Sequence, residues 1–409
     1  MRKIFKEFKI DIDKISVMLT DAGAAIKKAV INIVGKKRHL ACLGHAISHV
    51  LPESVKESVK LNELITKIGT IVTLIKRSNN ATAKLKQSQV DDDDNKNVKT
   101  IEDALKLIND CVTRWTSTID MIDRYLILEP YIFVAMSACN HPIDILSRDE
   151  VKILADVFKI MKPFRDVINE ISGDVYPTCS IIIPLVQVLE NIISNCHLDT
   201  EVGKSFKDTV QKHMKKRFEG LEKNLILACS TVLDPRFRKK ENFTNPMARV
   251  DAIVEIDNQL KQMKRERNKI KEQARKTQEI QANSHQSINQ NLECISIWDA
   301  YDKLNEQQVD EILQVNQSGW ELEIHAYLQS SNIPRKDNIF DFWKNQKRDH
   351  PELSKIALQR LSNLATTLLS ERLFSQAGLI NRSHRSKLSG MHLNMLVFLS
   401  SFSVVEWNL

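Results

Sequence analysis

Ser370-Glu-Arg-Leu-Phe-Ser-Gln-Ala-Gly-Leu-Ile380 is the stretch on which the reading of this chain turns. Just upstream, Leu361, Leu364, Ala365 and Leu368 recur at spacings of three and four, which predicts a helix over roughly 353–377. Glu371 falls three places after Leu368 and seven after Leu364, so it shares their face. A carboxylate on an apolar face needs a partner, a metal or a cleft. Lys355 and Arg372 are the basic residues close enough in sequence to pair with it. Earlier in the same region stand Phe340-Asp-Phe-Trp-Lys344 and His350-Pro-Glu-Leu-Ser-Lys-Ile-Ala357, and after it the basic run Arg382 to Leu388.

The whole chain has 409 residues, room for two or three domains. Hydrophobic residues make up 42% and charged ones 27%, both ordinary for a globular protein. Glycine is scarce, 10 in all, which argues for many helices and few tight turns. No apolar run is long enough to span a bilayer, and the N-terminal residues hold no apolar signal-like stretch. The cysteines at 42, 111, 139, 179, 196, 229 and 294 are odd in number and never spaced C-x-x-C. That favours reduced thiols over a disulfide framework or a zinc finger of usual spacing. Net charge is +7, with the basic residues concentrated at the N-terminus and in Arg372, Arg382, Arg385 and Lys387. Such patches are either solvated faces or phosphate tracks.

Ile15-Ser-Val-Met-Leu-Thr20 reads as a strand, followed by a helix, with Asp21 at the junction. His39 to Leu43 suits a second strand, and 45–77 reads as helices broken near Pro52. Asp91 to Asp94 open a polar loop. From about 100 to 235 the apolar spacing is helical, as in Leu105, Ile108 and Val112. Ile253, Ile256, Leu260, Met263 and Ile270 mark a charged helix over 251–275. It is either an amphipathic surface helix or a short coiled-coil seam. Residues 277–291 have a disordered composition, and helices resume near Ile295. These shifts suggest segments 1–98, 99–250, 251–294 and 295–409.

Asp21 has two readings: a cap for the following helix, which the spacing alone favours, or a metal-binding carboxylate at a strand end. Cys42 and His45, in Cys-Leu-Gly-His-Ala-Ile-Ser-His-Val50, are half of a metal pattern with no second half. They suit a buried thiol and a hydrogen-bonded imidazole. Arg114 and Trp115, in Cys111-Val-Thr-Arg-Trp-Thr-Ser-Thr118, are a core indole with a surface cation, or a base-stacking ring beside a phosphate ligand.

Ser370-Glu-Arg-Leu-Phe-Ser375, with the Arg/Leu pattern after it, resembles the C-terminal dimerisation segment of hAT-family transposases. Thr113 to Thr118 resembles that family's T-R-W-N-S-T signature, with Thr116 in place of Asn. Shorter likenesses lie in family order at Arg77 to Gln87, Leu233-Asp-Pro-Arg-Phe237 and Asp341-Phe-Trp343. The resemblance implies an α/β but predominantly helical chain. Its RNase H-like core would be incomplete, interrupted by a large all-α insertion and closed by a C-terminal helical dimerisation region. It implies that Asp21 and Glu371 are the second and third acids of a catalytic triad and that Trp115 stacks on an unstacked base. Cys42 and His45 would be structural neighbours of the site. The departures are Ala22 and Ala25, where the family carries Asn, and Ala365-Thr-Thr-Leu-Leu369 before the Glu.

The resemblance puts the first acid on a strand ahead of the position matching Ile15, and the fourteen residues before Ile15 cannot supply three strands. The family's BED-type zinc finger is not in this sequence. The expectation is therefore a self-associating, DNA-binding, nuclear protein without strand-cleaving activity as it stands. Mg2+ or Mn2+ would enter only if an upstream segment completed the triad. Leu393, Leu396, Val397, Phe398 and Leu399 are the candidate dimerisation residues, and Arg114, Trp115, Arg372, Arg382, Arg385 and Lys387 the candidate DNA contacts. A second copy and DNA are the expected partners; a membrane and small-molecule substrates are not. The alternatives are a piece of an active metal-dependent transposase, or a helical scaffold with no DNA role.

Overall fold

The computed structural model describes residues 2–21, 23–92, 98–111, 115–172, 178–282, 322–381 and 388–400. These residues are predominantly helical, and they divide into two units. The first holds residues 1–178, 184–220 and 364–409; the second holds 179–183 and 221–363. The last helices group with the N-terminal strands in the first unit, and 221–363 fall in the second.

The first unit opens with α1 (Arg2–Glu7), then β1 (Met18–Thr20), α2 (Ala24–Val34) and β2 (His39–Ala41). The strands pair in parallel, Met18 with His39 and Thr20 with Ala41. Parallel neighbours need a crossover connection, and α2 supplies it, burying Val30 and Val34. Gly35 ends α2 at φ +82°, a left-handed backbone that side chains with a Cβ resist.

Helices α3 (Leu43–Ser48), α4 (Val50–Lys56), α5 (Val59–Arg77) and α6 (Asn79–Val90) follow. The predicted break near Pro52 falls elsewhere. Pro52 sits in the first turn of α4, where a missing N–H is harmless, and the chain turns at His49 and Ser58 instead. Residues 98–111 also depart from the expected helix. Leu105 donates to Gln89 Oε1 (2.9 Å) and accepts from Gln89 Nε2 (3.0 Å), so a buried side chain replaces helical partners there. Val112 lies outside the described residues.

Next come α7 (Trp115–Ser137), α8 (Arg148–Ile171), α9 (Ile182–Ser194) and α10 (Glu201–Phe218). Ser147 and Glu150 form a reciprocal cap on α8, and Lys67 of α5 reaches Glu150 at 3.0 Å. On α10, His213 sits 2.8 Å from Glu57, and Arg217 pairs with Glu53, tying that helix to α4.

The second unit contains α11 (Leu225–Leu233), α12 (Pro246–Ala282), α13 (Leu322–Gln329), α14 (Ile339–Asn345) and α15 (Pro351–Leu361). Ile226 through Leu233 of α11 are all buried. Its hydroxyls survive there by donating to the helix itself, Ser230 to Ile226 O and Thr231 to Leu227 O. Ile253, Ile256 and Leu260 of α12 are fully buried, and α12 packs on α11. The first half of this helix is therefore core, whereas Ile270 is 65% exposed. The helix runs on to Ala282, through the start of the stretch expected to be disordered; 283–321 lie outside the described residues.

Two short likenesses from the sequence meet in this unit. The Trp343 indole donates to Leu233 O at 3.0 Å, and Tyr327 OH donates to Val232 O at 3.0 Å. The buried Arg238 donates to the carbonyls of Tyr327, Ser330 and Ser331 and stacks 4.5 Å over the Tyr327 ring. Asp234, with no exposure, is held by Ser180 and by the Arg236 guanidinium. These motifs are thus internal braces, each buried charge having its partner.

The chain then returns to the first unit with α16 (Leu368–Ile380) and α17 (Gly390–Leu399), which pack on each other. The single helix expected over 353–377 is in fact two, α15 and α16, separated at 362–367 and assigned to different units. Among the described residues no helix is long and apolar enough to cross a membrane.

Candidate functional site

Parallel strands deliver their C-terminal ends to one side, and in this chain those ends carry Asp21 and Cys42. Asp21 follows Thr20 of β1, Cys42 follows Ala41 of β2, and the Cys42 amide donates to Thr20 O at 2.7 Å. Asp21 is exposed and its carboxylate accepts the Gly23 amide at 3.1 Å. It closes a turn ahead of α2, whose N-cap is Gly23 with no side-chain bond. Asp21 is accordingly not the N-cap that its spacing favours.

Cys42 is 3% exposed and is the N-cap of α3, its sulfur accepting the His45 amide. The same sulfur accepts the Thr367 amide at 3.2 Å and lies 3.6 Å from Thr366 Oγ1. Beside it the Leu43 amide donates to Ala365 O at 3.0 Å. Gly44 completes the fit: a Cβ there would come within 2.5 Å of Thr366 Oγ1 and 2.9 Å of Leu368 Cδ1. Cys42-Leu-Gly-His45 is thus a socket, and Ala365 to Leu368 the segment it seats.

That seating brings Glu371 to His45. Glu371 Oε1 lies 3.3 Å from His45 Nδ1, without hydrogen-bond alignment, and accepts from Thr367 Oγ1 at 3.3 Å. Glu371 does not sit in a core; its side chain is 46% exposed in the first turn of α16, where a negative charge meets the positive helix end. Its partner is neither Lys355, which pairs with Glu352, nor Arg372, which is exposed. Burial pulls the His45 imidazole down. The Cys42 sulfur and the charges of Glu371, Cys42 and Asp21 outweigh that, holding the group above its ordinary range. Burial pushes the Cys42 thiol up, but hydrogen bonds from Thr367, His45 and Thr366 bring it below its ordinary value. The two carboxylates of the expected acid pair thus share one neighbourhood, with a cation-prone imidazole in it.

Glu371 is engaged by an imidazole and a hydroxyl, and the described residues contain no group of three His, Cys, Asp or Glu side chains able to hold a metal.

Trp115 begins α7; Arg114, Arg382, Arg385 and Lys387 lie outside the described residues. The end of the Thr113–Thr118 motif is anchored by Asp110, which accepts from Ser117 Oγ (2.7 Å) and Thr118 Oγ1 (2.9 Å). Sequence reading missed Asp110, Thr366 and Thr367; the only advance signal was the density of hydroxyls at these two places. On α17, Leu393, Leu396 and Val397 are half-buried, while Phe398 and Leu399 are exposed. Leu373, Phe374 and Leu379 of α16, with Met391 and Met395 of α17, are exposed too, and no residue of α17 is buried.

Residues 323–403 match the hAT family C-terminal dimerisation region. The chain is similar to Zinc finger BED domain-containing protein 4 of Homo sapiens, 23% identical over 94% of this chain and 31% of that protein. It is also similar to the Putative AC transposase of Zea mays, 22% identical over 96% of this chain and 48% of that protein. With the Hobo transposase of Drosophila melanogaster it shares 22% identity over 53% of this chain and 29% of that protein. The chain therefore spans about a third to a half of the length of the curated relatives that it matches.

Proposed function

We propose that this chain, a hAT-transposase-derived protein carrying that family's dimerisation region, is a self-associating nuclear DNA-binding protein that does not cut or join strands by itself. The observation that carries the reading is the C-terminal helix pair. Leu373, Phe374 and Leu379 of α16 and Met391 and Met395 of α17 are large apolar side chains left exposed on two helices that pack on each other. Covering such a set with a second copy removes roughly 25 cal/mol of unfavourable hydration per Å². An interface of this kind is what the dimerisation match leads one to expect.

The case against catalysis rests on His45. Two-metal phosphoryl transfer needs carboxylates free to clamp both cations. Glu371 instead faces the His45 imidazole, 3.3 Å from its Nδ1, and accepts from the Thr367 hydroxyl. An RNase H-like arrangement is supported by the parallel pair β1 and β2, with the candidate acids beyond its strand ends and at α16. A second reading, a piece of a metal-dependent transposase completed by another segment, is favoured by the greater length of the relatives.

Light scattering on the full chain tests the first claim. A dimer that becomes monomeric in Phe374→Asp/Met395→Asp supports it; a monomeric wild type overturns it. Mn2+-dependent nicking of duplex DNA that appears only when a segment supplying the first acid is joined to this chain, and vanishes in Glu371→Gln, would establish the second reading.

A further inference from the structure

An open groove of about 750 Å³ runs along α5 in the first unit, and none of its lining residues belongs to the socket or to the C-terminal helices. We propose that this groove is a seat for the phosphodiester backbone of DNA, an inference that rests on the DNA-binding reading above. Its floor is one stripe of α5: Asn62, Thr66, Gly69, Thr70, Thr73 and Arg77. From Asn62 to Arg77 the stripe is about 22 Å long, a track and not a pocket for one small molecule.

The polar inventory selects for an anion. Lys56 and Arg77 line the groove and neither has an acidic partner among the described residues. Thr66 and Thr70 donate back to α5 carbonyls, so the remaining neutral donors are Asn62, Thr73 and Asn109. The groove's carboxylate, Asp110, is turned to the hydroxyls of Ser117 and Thr118. Cations with Asn and Thr donors are the groups that contact phosphates without reading sequence. Gly69 opens the middle of the track: a Cβ there would meet nothing within 4 Å, so a backbone can approach the helix closely. Asp110 also anchors the start of α7, so the groove is continuous with the helix that Trp115 begins.

The test is fluorescence anisotropy of the full chain with a labelled duplex across a salt series. Lys56→Glu/Arg77→Glu is compared with Lys152→Glu/Lys204→Glu, which makes the same change in charge at exposed, ion-paired sites on α8 and α10. Each lost phosphate contact lowers the slope of log K against log salt by about 0.9, so the groove pair should lose about 2 and bind at least about tenfold more weakly. The control pair should keep most of the wild-type slope. Gly69→Trp, which fills the groove without changing charge, should also weaken binding at fixed salt. Equal loss in both charge pairs, or an unchanged groove pair, overturns the groove while leaving the DNA-binding reading in place. A wild-type chain that binds no duplex overturns both.

Discussion

Replacing Gly44 by alanine should destabilise the first unit, although alanine is the better helix former. In an open helix the change from glycine stabilises by about 0.5–1 kcal/mol. At Gly44 the new Cβ would lie 2.5 Å from Thr366 Oγ1 and 2.9 Å from Leu368 Cδ1. Thr366 is 2% exposed, so it has no room to retreat without moving the backbone. Overpacking of this sort costs about 1–3 kcal/mol. The outward shift also stretches the Leu43-to-Ala365 and Thr367-to-Cys42 hydrogen bonds, each worth about 0.5–1.5 kcal/mol. The net expectation is a loss of about 1–5 kcal/mol after the helix gain is subtracted. Gly69, in the middle of α5 with nothing within 4 Å of its Cβ, is the matched control, and its alanine variant should be more stable by about 0.5–1 kcal/mol. Urea unfolding gives both signs, and hydrogen exchange at the Leu43 and Thr367 amides localises the first. A Gly44→Ala protein as stable as wild type, with those amides equally protected, would refute the socket.

The remaining expectations concern protons, thiols and the second unit. The His45 pKa is raised against burial by the Cys42 sulfur first and Glu371 next, so these contacts contribute stability below about pH 6.5 and lose it as pH rises through the folded value. The gap in melting temperature between wild type and His45→Gln should thus shrink from about pH 6 to about pH 9; with both side chains partly exposed it stays under about 1 kcal/mol. A gap that widens with pH would reverse the sign of the argument. Burial pushes the Cys179 and Cys229 thiols up to about 12, so a thiol reagent at neutral pH should label the exposed Cys111 in the native protein and those two only after unfolding. Labelling of all three at one rate, followed by mass spectrometry, would contradict the burial. Trp343→Phe should cost the second unit about 1–3 kcal/mol, because the fully buried Leu233 O loses its donor. Calorimetry would show this as a lower transition for that unit, and an unshifted one would remove the brace.

The elements that local pattern controls were legible in the sequence. β1, α2 and β2 followed from a short β-branched run, a helical spacing and a second apolar run, and α12 from its repeated Ile and Leu. Residues 98–111 were misread because helical spacing there is accidental: Gln89, from another element, takes both backbone groups of Leu105. The continuous helix over 353–377 failed for a related reason. Periodicity ran through 362–367, but the backbone there is spent on Thr178 and Leu43, both remote in the chain.

The sequence by itself determined the family likeness, the helical class, the apolar C-terminal helices and the identity of Asp21, Cys42, His45 and Glu371 as residues apart from the rest. These depend on residue type and on spacing within one element. Only the tertiary structure decided that the imidazole of His45 meets the Glu371 carboxylate, that Cys42 holds Thr367 across more than three hundred residues, and that Lys56 and Arg77 line one groove. A contact between distant segments is fixed by how helices pack, and packing is a property of volumes and unpaired backbone groups in three dimensions.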